Sequence, residues 1–404
     1  MSELGDRESL LDDDPFRTDE WLTPDERALL DRIRSFGDRH VLPVINEAWE
    51  RADPVPDDAM QAYRALGIVG GTVVGNGCPG LRPIAAGAVT AELARIDGSL
   101  STFHVVQSGL VMPAIDRLGS DEQRRRWLPA LASMDLIGAF ALTEPAHGSD
   151  SVSLETTVRR DGPDLILDGH KRWIGNGASA GLTLVAARDE DGLVGLFAVQ
   201  PPTGGYVATV IERKGADRSM EQADIVLRAV RVSPSARLPG VDGFGPIAGM
   251  LASSRLGVAW SALGHALACF DLARSHAIER EQFGRPLAAF QLTQAKLADM
   301  LTQITSVRLM VSRGSQLQAE GALTLPIASM AKYHAARVAR TTAAKARTIL
   351  GGDGILLARH VARHLADVEA VFTYEGTDEI QALLVGRAIT GISAFSGGAG
   401  PSTE

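Results

Sequence analysis

Residues 164–200 have the sequence DLILDGHKRWIGNGASAGLTLVAARDEDGLVGLFAVQ, and this stretch decides the fold class. Its apolar runs are short, and they are interrupted by Asp168-Gly169 and Asp191-Gly192. Asp-Gly between two apolar runs is a strong signal for a β-hairpin turn. Because the pattern extends from about residue 136 to 235, it predicts an antiparallel sheet or small barrel in the middle of the chain.

On both sides of this segment, apolar residues recur at helical spacing. The sequences Thr23-Pro24-Asp25-Glu26 and Ser120-Asp121-Glu122-Gln123 are capping-box patterns that start helices. In the C-terminal part an apolar stripe is formed by Leu297, Met300, Leu301, Ile304, Val307 and Val311. Further helices are expected at about 326–350 and 354–390. Four long helices with short links predict an antiparallel bundle.

The predicted fold class is therefore α+β, mostly α. The strands are grouped together and do not alternate with helices, which argues against a doubly wound sheet. The expected divisions are an acidic flexible tail at 1–20, an N-terminal helical domain at 21–137, a central antiparallel β domain at 138–245, a C-terminal four-helix bundle at 246–395 and a tail at 396–404.

Charge and composition exclude several classes of protein. The 404 residues are 45% hydrophobic and 22% charged, as in ordinary globular proteins. Of the net charge of −9, the eight acidic residues and two arginines of residues 1–20 account for −6, so the remainder is −3 and predicts no nucleic-acid partner. No apolar run reaches the roughly 18–20 residues of a membrane span, so no membrane association is expected.

The cysteines indicate a reducing compartment. Cys78 and Cys269 lie far apart in the sequence, and the nine histidines are scattered, so no metal-ligand spacing is present and no metal site is expected. The N-terminal residues are acidic, unlike a signal or transit peptide. These features predict a cytoplasmic protein.

Five segments carry the chemistry, in this order along the chain: FALTEPAHGSD at 140–150, KRWIGN at 171–176, REQFGRPL at 280–287, LGGDG at 350–354 and TYEGT at 373–377. Together they resemble the acyl-CoA dehydrogenase family, nearest to glutaryl-CoA dehydrogenases and plant short-chain acyl-CoA oxidases. The resemblance covers nearly the whole chain. It implies the acyl-CoA dehydrogenase fold, FAD as cofactor, an electron-transferring flavoprotein as partner, a homotetramer, and a role in fatty acid metabolism.

The resemblance implies that Glu375, in TYEGT, is the catalytic base that removes the α-proton of an acyl thioester. That proton is barely acidic, so the reaction needs a positioned carboxylate and a polarised carbonyl. Gly376 allows the backbone to approach a ligand closely. The alternative is a surface glutamate paired with a lysine. Some family members carry the base on an earlier helix, at the position of Ser254, where a serine cannot serve.

The resemblance also implies two sets of contact residues. The cofactor-binding set is Phe140, Leu142, Thr143, Ser149, Trp173, Ile174, Gly175, Arg280, Phe283, Gln291, Leu350, Gly351, Gly352, Thr377 and Glu379, of which Arg280, Gln291, Gly351 and Gly352 would contact the FAD of a neighbouring subunit. The substrate-binding set is Ser101, Thr102, Ser149, Leu251, Ser254, Arg255 and Gly376. A tryptophan such as Trp173 is more commonly a core residue, and a helix C-terminal cation is the alternative for Arg280.

Two departures from the family pattern bear on function. Glutaryl-CoA dehydrogenases carry an arginine for the distal carboxylate and a glutamate seven residues before it; the matching positions are Ser101 and Ala94. Because a buried carboxylate without a cation is unfavourable, glutaryl-CoA is not the expected substrate. Gly175 replaces a threonine that most dehydrogenases have, as in the plant oxidases, which leaves the electron acceptor open.

The expected function is therefore FAD-dependent α,β-dehydrogenation of an uncharged, short acyl-CoA to the 2,3-enoyl-CoA, with electrons passed to an electron-transferring flavoprotein. Three alternatives remain. An acyl-CoA oxidase that uses oxygen is favoured by Gly175. A glutaryl-CoA dehydrogenase would require another cation at the acyl end. A non-catalytic flavin-binding scaffold would have no need for Glu375.

Overall fold

The computed structural model describes residues 13–395. The helices that precede the central sheet are α1 Pro24–Phe36, α2 Ile45–Arg51, α3 Asp57–Arg64, α4 Pro83–Ile96, α5 Gly98–His104, α6 Met112–Leu118 and α7 Asp121–Ala132. Both predicted capping boxes are confirmed. The side chain of Thr23 accepts from the N–H of Glu26 and that of Ser120 accepts from the N–H of Gln123, with the reciprocal bonds also present.

A π-helical segment, Val105–Val111, joins α5 to α6. Wider turns of this kind are frequent at functional sites because they turn extra side chains toward one face of the helix. Here Val105, Val106 and Leu110 face the cleft described below. The sequence pattern gave no indication of this segment.

The central sheet contains β3 Gly138–Ala141, β4 Thr157–Asp161, β5 Asp164–Gly175, β6 Leu182–Arg188, β7 Val194–Val199, β8 Tyr206–Val210 and β9 Gln222–Val232, after a separate small hairpin of β1 Val74–Gly75 and β2 Cys78–Pro79. The strand order is β3-β6-β4-β5-β9-β8, with β7 also paired to β6. Most pairs are antiparallel, as predicted. β6, however, pairs in parallel with β3 and β4. The alternation of apolar and polar residues along a strand does not show the direction of its neighbours, so the sequence did not indicate these parallel pairs.

One of the two predicted hairpin turns is confirmed. Asp191-Gly192 lies between β6 and β7, with Gly192 at φ +80°. The carboxylate of Asp189 accepts the N–H groups of Asp191 and Leu193, which closes the turn.

The prediction of a turn at Asp168-Gly169 was wrong, because both residues lie within β5. The β4–β5 hairpin turns at residues 162–163, between the paired Asp161 and Asp164. A Cβ on Gly169 would lie 2.3 Å from Oγ1 of Thr156. Glycine is therefore required there for a close contact at a β-bulge, and not for a turn.

The C-terminal part contains α8 Phe244–Glu279, the small hairpin of β10 Glu281–Gln282 and β11 Arg285–Pro286, and α9 Gln291–Ala319, α10 Leu325–Leu350, α11 Val361–Thr373 and α12 Asp378–Thr390. The predicted stripe on α9 is confirmed: its members are buried or partly buried against the helical core. The single helix predicted at 354–390 was wrong. It is divided into α11 and α12 by a turn at which Glu375 and Gly376 both have positive φ.

By length and mean hydropathy α8 is apolar enough to cross a membrane, with a mean of 1.4 over an 18-residue window. However, 83% of that window is buried inside the chain. Buried residues of α8 belong to the same hydrophobic cluster as those of α4 and α10. We therefore interpret α8 as the core helix of the C-terminal part.

The acidic segment makes specific contacts over the part that the structure describes. Thr18 donates a hydrogen bond of 2.9 Å to the carboxylate of Asp14, which is only 8% exposed. Asp13 lies 3.3 Å from Arg95 and 3.6 Å from Arg308. These contacts place residues 13–20 against the body of the protein, and the flexibility of the segment stays a prediction. Residues 1–12 and the predicted tail at 396–404 lie outside the described residues.

Candidate active site

A cleft of about 210 Å³ lies where the central sheet meets α5, α8 and the turn between α11 and α12. It brings together many of the predicted site residues, namely Thr102, Phe140, Leu142, Thr143, Ser149, Trp173, Ile174, Gly175, Leu251, Arg255, Glu375 and Gly376. These residues come from five separate segments of the chain. Their convergence on one concave surface makes the cleft the candidate active site.

The turn that carries Glu375 is conformationally strained. Glu375 has φ +55° and Gly376 has φ +94°. A left-handed conformation at a residue with a Cβ costs on the order of 1–2 kcal/mol and persists only where surrounding contacts impose it. A Cβ on Gly376 would lie 2.4 Å from Nε2 of Gln381, so this position requires glycine.

Three side chains hold the turn through its backbone carbonyls. The carbonyl of Glu375 accepts hydrogen bonds from Nε of Arg255 at 3.0 Å and Nε2 of Gln381 at 2.9 Å. The carbonyl of Gly376 accepts from the same amide at 2.9 Å and from Nζ of Lys332 at 2.8 Å. Lys332 and Gln381 are fully buried. Charged donors form strong bonds to carbonyls, so the backbone beneath Glu375 is fixed.

The Glu375 carboxyl group is suited to accept a proton. Burial raises its pKa, while Arg255, the hydroxyl of Ser254 and Lys332 oppose that rise. Its Oε2 is buried and has no hydrogen-bond partner among the described residues. Burial also lowers the pKa of Lys332, to about 8. A carboxylate of raised pKa with an unengaged oxygen is a stronger base than an exposed one.

The lining of the cleft also includes a flat aromatic surface. Trp173 is 54% exposed and has φ +63°, and the guanidinium of Arg172 lies 5.4 Å from its ring centroid. The N–H of Arg172 donates a 2.9 Å hydrogen bond to the carbonyl of Thr143. The hydroxyls of Thr143 and Ser149 face the same space. An aromatic face beside hydroxyls fits the ring system and phosphates of FAD.

A buried ion pair fixes the loop that follows β3. Nζ of Lys171 donates 2.7 Å and 3.0 Å hydrogen bonds to Glu144 and to the carbonyl of Leu142. Although burial acts to raise the pKa of Glu144, the N–H of Glu155 and the ammonium of Lys171 lower it to about 2. Burial lowers the pKa of Lys171 to about 8 against the effect of Glu144. The pair therefore attaches residues 142–144 to β5.

Glu144 also lies within 4.8 Å of ligand atoms of His147 and Glu155, a spacing that a metal ion would accept. Both of its oxygens are engaged, however. Oε1 accepts from Lys171 and Thr156, and Oε2 accepts from the N–H of Glu155. We therefore assign this group a structural role in the loop.

Two predicted substrate residues lie behind the cleft wall. Oγ of Ser101 donates to the carbonyl of Thr90 at 3.4 Å and lies 3.2 Å from Oγ of Ser261. Ser101 and Ala94 are both fully buried. Neither position supplies a cation. Ser254 is buried beside the carboxyl group of Glu375 and is not a lining residue of the cleft.

The remaining predicted cofactor residues lie away from the cleft. Exposed positions are Arg280, Phe283, Gln291, Gly351, Gly352 and Glu379, whereas Leu350 is buried at the end of α10. The hydroxyl of Thr377 accepts the N–H of Ile380 and caps α12. Their assignment to the cofactor of a neighbouring subunit stays a prediction.

Sequence reasoning missed several residues that form the site. Tyr374 lines the cleft and lies within the quoted TYEGT segment, so its signal was available. Lys332 stands on the buried face of α10 among alanines, and a lysine at an apolar position is a signal of a specific partner. Gln381 and the π-helical segment carried no sequence signal.

Comparisons with known proteins identify relatives over most of the chain. Sequence profiles described as acyl-CoA dehydrogenase N-terminal, middle and C-terminal domains match residues 23–135, 139–230 and 241–390. The human mitochondrial short-chain specific acyl-CoA dehydrogenase is 32% identical over 364 residues, which are 88% of each chain.

Two solved structures are also similar. A glutaryl-CoA dehydrogenase from Mycobacterium smegmatis, in complex with FADH2, is 36% identical with a TM-score of 0.91, covering 94% of this chain and 98% of that one. Butyryl-CoA dehydrogenase from Megasphaera elsdenii is 29% identical with a TM-score of 0.86, covering 91% and 98%. Both similarities extend over the helical parts and the sheet together.

Proposed function

The chain belongs to the acyl-CoA dehydrogenase family, whose members are FAD-dependent enzymes, and from that premise we propose that it dehydrogenates an uncharged, short acyl-CoA between its α and β carbons. One observation carries the proposal: the carboxyl group of Glu375 lines the cleft on a turn that three side chains hold, and its buried Oε2 has no hydrogen-bond partner among the described residues. The product is the 2,3-enoyl-CoA.

Glu375 removes the α-proton of the thioester. The backbone N–H of Glu375, on the turn held by Arg255, Lys332 and Gln381, donates a hydrogen bond to the thioester carbonyl as negative charge develops there. When bound, FAD supplies the acceptor for the β-hydride. Phe140, Leu142, Thr143, Ser149 and Trp173, which line the same cleft, would hold the cofactor, and Glu375 would meet the α-carbon of an acyl chain bound beside it.

The side chains at the two positions expected near the end of the acyl chain are uncharged, which supports an uncharged substrate. Ser101 and Ala94 are both buried, and neither supplies a positive charge for a distal carboxylate. A short chain is supported by the relative that is described as short-chain specific. We propose an electron-transferring flavoprotein as the acceptor of the electrons.

An acyl-CoA oxidase is the second candidate, and Gly175 favours it. A Cβ on Gly175 would lie 2.9 Å from Cγ2 of Val106 and 3.0 Å from Cε of Met220. Apolar methyl groups therefore occupy the space next to this position, where a threonine hydroxyl would otherwise face the flavin.

The test is to mix the purified flavoprotein with butyryl-CoA without oxygen, follow the flavin absorbance, and then admit air. Bleaching with slow recovery in air supports the dehydrogenase, and bleaching with rapid recovery supports the oxidase. If neither butyryl-CoA nor other short acyl-CoA thioesters bleach the flavin, the proposal is wrong.

We also propose a cytoplasmic homotetramer. Support for assembly comes from large apolar side chains near the predicted intersubunit residues: Phe283 is 94% exposed, Leu292 78% and Ile355 64%. Exposed apolar groups of this size commonly mark subunit interfaces. Sedimentation of the FAD-loaded protein tests the assembly, and a monomer that binds FAD with full activity would contradict it.

A further inference from the structure

A series of buried polar groups behind the cleft wall has no role in the proposed reaction. Oγ1 of Thr102 donates a 3.0 Å hydrogen bond to Oδ2 of Asp217. The N–H of Asp217 donates a 2.8 Å bond to Oδ1 of Asp367. Asp217 and Asp367 are 1% and 0% exposed, and Thr102 is the member of this series that lines the cleft.

Contacts from several elements fix the position of Asp217. Nζ of Lys214 donates a 2.7 Å bond to its carbonyl. Asp367, on α11, accepts the hydrogen bond from the N–H of Asp217. Asp367 is itself held by a 2.9 Å hydrogen bond from Nε1 of Trp49. Oδ1 of Asp217 and Oδ2 of Asp367 have no hydrogen-bond partner among the described residues. Burial raises the pKa of Asp217 to about 7. Buried carboxyl groups are unfavourable, and groups perturbed in this way concentrate at functional sites.

The contact with Asp217 decides whether the hydroxyl of Thr102 donates or accepts a hydrogen bond on its cleft side. A threonine hydroxyl has one proton and two lone pairs. Above pH about 7, where Asp217 is ionised and can only accept, the proton is directed to Asp217. The hydroxyl of Tyr374 lies 3.5 Å from Oγ1 of Thr102, so Tyr374 is the donor in that contact. On the cleft side, Thr102 can therefore only accept a hydrogen bond.

We propose that Asp217 is a specificity-determining residue that, acting through Thr102, selects acyl-CoA substrates whose chain carries a hydrogen-bond donor such as a hydroxyl group. This inference rests on the proposed function. A donor on the acyl chain satisfies the lone pair of Thr102. A distal carboxylate, which only accepts hydrogen bonds, meets that lone pair and the buried Asp217 behind it. A site that hydrogen-bonds a substrate group discriminates against the analogue that lacks it far more than an apolar pocket does.

The test uses three CoA thioesters of equal chain length: pentanoyl-CoA, 5-hydroxypentanoyl-CoA and glutaryl-CoA. Flavin reduction without oxygen gives the rate, and the flavin spectral change on titration gives the dissociation constant. We expect the wild type to prefer 5-hydroxypentanoyl-CoA over pentanoyl-CoA about tenfold or more, chiefly through tighter binding. Glutaryl-CoA should be the poorest substrate.

The variants Asp217→Asn, Asp217→Leu and Thr102→Val should lose this preference, whereas Thr102→Ser should keep it. Asp161→Asn makes the same chemical change on exposed β4 and should retain the wild-type ratio. Each ratio is measured within one variant, so a general loss of activity does not affect it. If Asp217→Leu fails to fold, the Thr102 pair still decides, because valine and threonine have nearly the same shape.

A wild-type ratio near one, or a ratio unchanged in the Asp217 and Thr102 variants, overturns the inference while reduction by pentanoyl-CoA leaves the proposed function intact. If none of the three thioesters reduces the flavin, the inference fails; if butyryl-CoA and other short acyl-CoA thioesters do not reduce it either, the proposed function fails as well.

Discussion

Nε of Arg255, on α8, donates a 3.0 Å hydrogen bond to the backbone carbonyl of Glu375, 120 residues further along the chain. The arginine therefore supports the turn that carries the proposed base, while Oε2 of Glu375 has no hydrogen-bond partner within residues 13–395. Its charge also opposes the rise in the pKa of Glu375 that burial causes. One side chain thus contributes both to the position and to the ionisation of the base.

Replacement of this arginine should shift the pH dependence of the reaction. Glu375 must be ionised to accept a proton, and burial raises its pKa above 4.5, so flavin reduction should slow as the pH falls through the raised pKa. Arg255→Gln removes the opposing charge and should move this decline to higher pH. Anaerobic flavin reduction measured across pH checks it, with Arg340→Gln, at an exposed ion pair, as control. An unchanged pH profile in Arg255→Gln would contradict the assigned role.

Gly376→Ala should disrupt the turn. The added Cβ would lie 2.4 Å from Gln381, and the φ of +94° is strained for alanine. The expected loss of stability is about 1–2 kcal/mol or more, together with much slower flavin reduction. Thermal unfolding and reduction kinetics measure the two effects. Gly245→Ala is the control, because an added Cβ there meets nothing within 4 Å; equal effects of the two substitutions would show that the turn has no special requirement.

Lys171→Met should destabilise the flavin-side loop strongly, because it leaves Glu144 buried without its cation. Loss of one partner of a buried ion pair costs about 3–5 kcal/mol. The double variant Glu144→Gln with Lys171→Met should recover part of that loss. Urea unfolding of the wild type, Lys171→Met and the double variant measures the loss of stability and its recovery. A double variant as unstable as Lys171→Met would argue against the ion pair as the cause.

The same pair predicts a loss of stability in acid. The pKa of Glu144 is held at about 2, below its ordinary 4.5, so its contribution to stability is present above pH 4.5 and disappears as the pH falls toward 2. The wild type should therefore lose stability more steeply than Glu144→Gln in this range. Parallel curves of unfolding free energy against pH would be inconsistent with the assignment.

Glutaryl-CoA should reduce the flavin far more slowly than butyryl-CoA. The positions that would pair a distal carboxylate are Ser101 and Ala94, and an unpaired buried carboxylate is strongly unfavourable. Rates measured at saturating thioester without oxygen make the comparison. Comparable rates would mean that another group neutralises the carboxylate.

The sequence predicted correctly those features of the fold whose hydrogen bonds join residues close together in the chain. The capping boxes at Thr23 and Ser120 and the turn at Asp191-Gly192 depend on bonds within five residues, and all three are present. Asp168-Gly169 has the same turn composition, but β5 continues through it because pairing with β9 decides its conformation. The α11–α12 break also escaped detection, because distant side chains impose it.

In the candidate active site, too, local motifs were identified from the sequence and long-range contacts were not. The segment around Glu375 identified the proposed base from its motif, yet the groups that fix it, Lys332 and Gln381, were not identified. Asp217 meets Thr102 across 115 residues of sequence, and no spacing rule brings them together. Long-range packing decides which polar groups become buried, so only the structure could reveal these contacts.

The most direct test of the account is anaerobic reduction of Glu375→Gln by butyryl-CoA. The variant should bind FAD and the thioester as the wild type does, because glutamine has nearly the same shape. Its flavin reduction should be slower by about a hundredfold to ten-thousandfold, the usual contribution of a general base. Reduction at close to the wild-type rate would contradict the account, since another group would then have to remove the α-proton.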